Sequence, residues 1–234
     1  MTMTTAPNRL LHIYLLAGVK TTLSAFFECR KKLENLFAQD GRQTTIHVLF
    51  PYGDYTRNLW RQLWEVRSDF NSWLLPWRIG GRAAAEAIRT SRAEGQVLII
   101  GHSGGGVAAY QAVRMLQRQG ALENTDIRIV QIGSPKIPIE PLLRERVAYF
   151  HAVDDSGRLS DPISRIGSWG GWSAGKRSLP RWNQRKYAPG FVKGIPVIGG
   201  HANYFRHTAP YVDAQSICNL DKTIDGIRSW LKGW

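Results

Sequence analysis

The chain has 234 residues, 31 Lys and Arg against 18 Asp and Glu, and a formal net charge of +13 at pH 7. With 43% apolar and aromatic residues and 21% charged ones it is too apolar for a disordered chain, and its 23 Gly and 11 Pro show no collagen period. This length fills one full α/β core, and two cysteines, Cys29 and Cys218, rule out a disulfide framework and favour a reducing, cytoplasmic setting.

The first apolar stretch, Leu10–Val19, is interrupted by His12 and Tyr14 and is too short to span a bilayer. One arginine ahead of it imitates a signal peptide weakly; the run reads better as a buried strand over 10–17 ending at Gly18. Apolar positions 23, 26, 27, 33, 36 and 37 predict a helix over 23–38. Thr44–Phe50 is β-branched and strand-like, and Pro51-Tyr52-Gly53-Asp54 stops it. An Ala-rich helix is predicted over 80–94, then the most compact apolar run, Val97–Ile100, as a central strand. A helix over 107–119 and strands over 127–132, 147–153 and 195–198 follow, and 215–231 closes the chain as an amphipathic helix. Strands alternating with helices predict βαβ units and a mostly parallel central sheet with helices on both faces. Ligands of such a sheet sit at the carboxyl ends of its strands. No internal repeat or low-complexity tract is present, and a single domain over 1–234 is expected.

Two stretches break the alternation. Residues 51–79 hold Trp60, Trp64, Trp73 and Trp77 among arginines, and 162–212 hold eight basic residues and no acidic one. They are expected to be excursions that cover the active edge, over 51–79 and 162–195. Trp60 and Trp64 are four apart, as are Arg57 and Arg61, which on a helix gives one aromatic and one basic stripe. Such a face suits an acyl pocket or an anionic membrane surface. The high charge would equally serve nucleic acid, but no nucleic-acid-binding motif accompanies it, so no specific nucleic-acid partner is expected.

The sharpest motif is Gly101-His102-Ser103-Gly104-Gly105, between the strand Val97–Ile100 and the next helix. A serine on a tight strand-to-helix turn needs small neighbours two residues to either side, and the helix N-terminus behind it favours a developing oxyanion. This motif in this βα context resembles the nucleophile elbow of the α/β-hydrolase superfamily. The resemblance implies a Ser–acid–His triad in that chain order, one oxyanion amide from Gly104 and a second from the loop after the first strand, for which Val19 is nominated with Lys20 beside it.

A serine hydroxyl needs a base. His102 adjoins Ser103, His12 and His47 lie in early strands, and His151 precedes the acid, which leaves His201 and His207. His201, in IPVIGGHANYF, lies on a turn beyond a strand, where the triad needs its histidine. The segment resembles the histidine region of secreted fungal-type lipases, with Tyr-Phe shortly after, a likeness that points to secretion as the alternative to the cytoplasm; His207 is the alternative base. For the acid, Asp154, Asp155 and Asp161 all follow the strand over 147–153. Asp161 opens Asp-Pro-Ile-Ser-Arg-Ile-Gly, which resembles the surroundings of the catalytic aspartate in those lipases and is favoured; Asp154 and Asp155 gain if the intervening SGRLS is helical. No metal-ligand spacing and no phosphate-binding loop after a strand occur, so no metal or cofactor is expected. The reading is a serine hydrolase cleaving a small-molecule or lipid carboxylic ester through an acyl-enzyme. The alternatives are a thioesterase or amidase, and a non-catalytic module that binds an anionic membrane or polymer through its basic, Trp-rich surface.

Overall fold

The computed structural model describes residues 10–19, 26–52, 79–91, 95–122, 125–174 and 179–234. The expected excursion over 51–79, with its Trp and Arg stripes, falls almost wholly outside them, as does Lys20.

The strands are β1 (Leu11–Leu16), β2 (Thr44–Leu49), β3 (Gly95–His102), β4 (Thr125–Ile132), β5 (Val147–Val153), β6 (Gly171–Ala174), β7 (Pro180–Asn183) and β8 (Phe191–Pro196). The helices are α1 (Phe27–Gln39), α2 (Ile79–Thr90), α3 (Gly104–Arg118) and α4 (Asn219–Trp230). Six strands form one mostly parallel sheet in the order β2-β1-β3-β4-β5-β8, and β6 and β7 pair separately. The chain divides into two compact units, Met1–Ile129 and Val130–Trp234, with the boundary inside β4.

In the first unit β1 pairs in parallel with β2 and with β3, Leu16 opposite Leu49 and Gly101 respectively. Leu11, Ile13, Leu15 and Leu16 are wholly enclosed, as is the run Val97–Ile100. This is the unbroken apolar pattern of parallel strands covered on both faces. Phe26, Cys29, Leu33 and Phe37 are buried at helical spacing, so α1 presents one stripe to the core. Helix α3 begins at Gly104, three residues ahead of the expected Val107. Three successive glycines are poor helix formers, but a Cβ on Gly105 would lie 2.1 Å from the Leu16 carbonyl oxygen. The helix start is therefore dictated by close backbone packing rather than by propensity.

In the second unit β5 and β8 pair in parallel from Ala148 opposite Phe191 to Val153 opposite Pro196. Strand β8 thus begins four residues earlier and ends two earlier than expected. Lys193 and Gly194 interrupt its apolar pattern, which hid it, and the Ile198 amide leaves the ladder to donate to Asn219 Oδ1 at 2.9 Å. Helix α4 begins at Asn219, not 215. Asp213 Oδ1 accepts the amides of Gln215 and Ile217 at 3.0 and 2.9 Å, and Ser216 sits at φ 63°, so a turn competes successfully with the helix there. Within the expected excursion over 162–195 the described residues form a 3-10 turn at Ile163–Arg165, the antiparallel pair β6–β7, and then β8.

Candidate active site

In the first unit the site is built around Ser103. Its backbone lies at φ 57° and ψ −129°, a region that costs a non-glycine residue on the order of 1–3 kcal/mol and persists only where the surroundings over-determine it. Those surroundings are visible. A Cβ on Gly101 would meet the Gly105 carbonyl oxygen at 2.4 Å, and one on Gly105 would meet Leu16. Both flanking glycines are required, so the turn closes only as G-x-S-x-G. The Gly106 amide donates to the Ser103 carbonyl at 3.1 Å and starts the helix. The Gly104 amide lies in the first turn of α3, where amides have no acceptor within the helix. Tyr52, wholly buried, donates to the Gly104 carbonyl at 3.4 Å.

The loop after β1 reaches the same place. A Cβ on Gly18 would lie 2.6 Å from Ser103 Cβ and 3.2 Å from Ser103 Oγ. Gly18 therefore has no room for a side chain beside the serine; Val19, the nominated amide donor, follows it directly and is half-buried.

In the second unit the structure brings Asp161 and His201 together. Strand β5 ends at Val153, and residues 154–160 form a turn, not a helix. Asp154 Oδ1 accepts the amides of Ser156 and Arg158 at 3.0 and 2.9 Å, and the Ser160 amide returns to the Ala152 carbonyl at 3.0 Å. The turn delivers Asp161 to a fully buried position. His201 Nδ1 lies 3.1 and 3.0 Å from the two Asp161 carboxylate oxygens. An ionised carboxylate only accepts, so Nδ1 carries a proton. Asp161 also accepts from the Ile163 amide at 2.8 Å, Ser164 Oγ at 3.3 Å and the Tyr204 hydroxyl at 2.8 Å. Burial pushes its pKa up, but the hydrogen bond and charge of His201, with the bonds from Tyr204 and Ile163, outweigh that and hold it below 3.8. By contrast Asp154 is an exposed turn residue, lowered chiefly by its bond from Ser156 and ion-paired with Arg158 at 3.4 Å. Asp155 and His207 are exposed as well.

Tyr204 and Asn219 are the supports sequence reasoning did not find. Tyr204 is wholly buried; it accepts the Ala152 amide at 2.6 Å while donating to Asp161. Asn219 Nδ2 donates to the carbonyls of Ile198 and Asn203 at 2.8 and 3.0 Å, pinning both ends of the turn that carries His201. Thr223 Oγ1 adds a bond to the Tyr204 carbonyl at 2.9 Å. Gly133, at φ 55°, is a third: a Cβ there would lie 2.7 Å from Asp161 Oδ2. The signals were faint: a tyrosine three residues past a histidine, and a glycine at a strand end.

Among the described residues no group of three or more His, Cys, Asp or Glu side chains could hold a metal ion, and no helix is long and apolar enough to cross a membrane.

No protein-family model matches the sequence, and no match was found among curated proteins. Solved structures do match. RedJ, a thioesterase from the prodiginine biosynthetic pathway of Streptomyces coelicolor, is 16% identical with a TM-score of 0.52, over 98% of this chain and 97% of its own. The NocB thioesterase domain, solved as a covalent complex with a fluorophosphonate nocardicin G analogue, is 16% identical with a TM-score of 0.51, over 95% of each chain. With its parallel sheet and a serine turn between β3 and α3, the chain has the α/β-hydrolase fold.

Proposed function

We propose that the protein is a serine hydrolase of acyl compounds, acting on a carboxylic ester through an acyl-enzyme. The observation that carries this reading is the backbone of Ser103, a non-glycine residue forced to φ 57° by close packing on both sides. With ψ at −129° the residue also lies outside the left-handed α region that a turn serine such as Ser216 can reach at little cost, and a plain structural turn would have taken glycine there.

The roles follow from the chemistry. Ser103 Oγ attacks the acyl carbonyl while His201 Nε2 takes its proton, and the same proton then goes to the leaving group. Asp161 fixes the imidazole with Nδ1 protonated and stabilises the imidazolium that forms. The assignment of His201 to Ser103 rests on the Ser–acid–His chain order. The amides of Gly104 and Val19 stabilise the oxyanion, each worth about 3 kcal/mol. Water repeats the sequence on the acyl-enzyme and releases the acid. A thioester in place of the ester is the second reading, favoured because the RedJ and NocB structures are both described as thioesterases.

The test is intact mass after treatment with a fluorophosphonate. Wild type should gain a single phosphonyl adduct, and Ser103→Ala and His201→Ala none. Turnover of acyl esters should fall by roughly 10^4–10^6 in either variant. An unlabelled wild type would overturn the reading. Parallel series of p-nitrophenyl esters and N-acetylcysteamine thioesters of equal chain length then decide between ester and thioester.

A further inference from the structure

The ribbon formed by β6 and β7 has no place in the proposed chemistry and carries an unusual surface. Trp172 and Trp182 lie directly opposite each other in the antiparallel register, on the same face. Their rings meet edge to face with centroids 5.5 Å apart. They remain 62% and 47% exposed, with Leu179 just ahead of β7 at 68%. The pair is held in place from below. A Cβ on Gly170 would lie 2.2 Å from the Trp182 ring, so that indole packs directly against the Gly170 backbone. Lys186 Nζ donates to the Trp172 carbonyl and sits 5.1 Å above the Tyr187 ring. Exposed Trp on a rigid ribbon is costly in water and rare unless something covers it.

The surrounding charge is of one sign. Arg181, opposite Ser173 in the register and so on the ribbon's other face from the tryptophans, and Arg185, in the turn after β7, are both exposed. No Asp or Glu occurs anywhere from 162 to 212. Indole rings favour the headgroup level of a bilayer, where an apolar body and a polar N–H are both accommodated. Basic side chains beside them favour an anionic leaflet, and the chain's net charge of +13 draws the whole molecule the same way.

We propose that the β6–β7 ribbon docks the protein on anionic lipid bilayers, with Trp172, Trp182 and Leu179 entering the headgroup region and Arg181 and Arg185, at its flanks, reaching lipid phosphates. This docking is separate from the acyl chemistry and survives if the proposed hydrolase activity fails.

The experiment is co-sedimentation of the full chain with vesicles of pure phosphatidylcholine and of equimolar phosphatidylcholine and phosphatidylglycerol. Wild type should sediment with the anionic vesicles, weakly or not at all with the zwitterionic ones, and less as salt rises. A basic side chain at an anionic surface is worth roughly a five-fold factor in partition, so Arg181→Ser with Arg185→Ser should weaken binding by more than tenfold. Trp172→Ser with Trp182→Ser should weaken it at least as far and leave fluorophosphonate labelling of Ser103 and the thermal midpoint unchanged, which separates lost docking from lost folding. The proposal is overturned if wild type stays in the supernatant of anionic vesicles. It also fails if binding is equal on both vesicle types, if the tryptophan variant binds undiminished, or if only a soluble acidic polymer such as polyphosphate is retained.

Discussion

Asp161 is held ionised by its neighbours although it is fully buried. Its pKa lies below its ordinary value, so its ionisation adds stability that is complete above pH 3.8 and disappears as the pH falls through the lower folded value. Replacing it with Asn removes that term. Urea midpoints taken from pH 7 down to pH 3 should therefore fall less steeply at the acid end for Asp161→Asn than for wild type, and turnover at pH 7 should drop by roughly 10^4. An equally steep acid limb in the variant would show that the carboxylate is not held down by its partners. Tyr204 is the clearest of these partners. Tyr204→Phe removes one donor to the carboxylate and leaves the buried Ala152 amide without its acceptor, a loss of about 1–3 kcal/mol. A purely structural effect would lower the thermal midpoint and leave the pH profile alone. A positioning role predicts more: with a donor gone the Asp161 pKa rises toward its ordinary value, and the acid limb of the urea midpoints becomes shallower.

At the scale of elements, Asp161 stands out in the sequence through the likeness of Asp-Pro-Ile-Ser-Arg-Ile-Gly to a lipase aspartate region and His201 through its place in Gly-Gly-His-Ala-Asn beyond a strand, whereas position alone points to Asp154 and Asp155 at the end of β5. The supports do not stand out, because they act through single side chains at large separations: Asn219 reaches back 21 residues to Ile198. Strands with unbroken apolar runs, Val97–Ile100 and Val147–Phe150, announce themselves. Strand β8, broken by Lys193 and Gly194, and the short β6–β7 pair, whose exposed tryptophans give no alternation, do not. Helix ends follow the same logic, since propensity put α3 past its glycines and packing put it on them. The turn carrying His201 is therefore stabilised from outside. Asn219→Ala removes three hydrogen bonds to it and should cost about 2–4 kcal/mol, a fall of several degrees in the thermal midpoint. Fluorophosphonate labelling should slow at temperatures where the fold is intact. A lower midpoint with unchanged labelling would mean that the turn keeps its shape without α4.

At the scale of the whole molecule, the sequence reads as one domain, while the folded chain clusters into two units whose boundary falls inside a single strand, β4, after Ile129. A strand is not a hinge. Its residues form ladder bonds together or lose them together, so unfolding should be cooperative across the boundary. The two cysteines report on this directly, since Cys29 lies in the first unit and Cys218 in the second. Both are free and buried. Burial pushes the Cys29 thiol up to about 12, and the Cys218 sulfur is engaged with Asp221, accepting its amide and donating to its carboxylate. Cys29 forms no appreciable thiolate, and burial keeps reagent from both sulfurs in the folded state, so native-state labelling requires opening of the surrounding structure. Labelling in a urea series, read for each cysteine by peptide mass, should give two curves with one midpoint. Separate midpoints would show that the two units unfold independently and that the break in β4 is a true domain boundary.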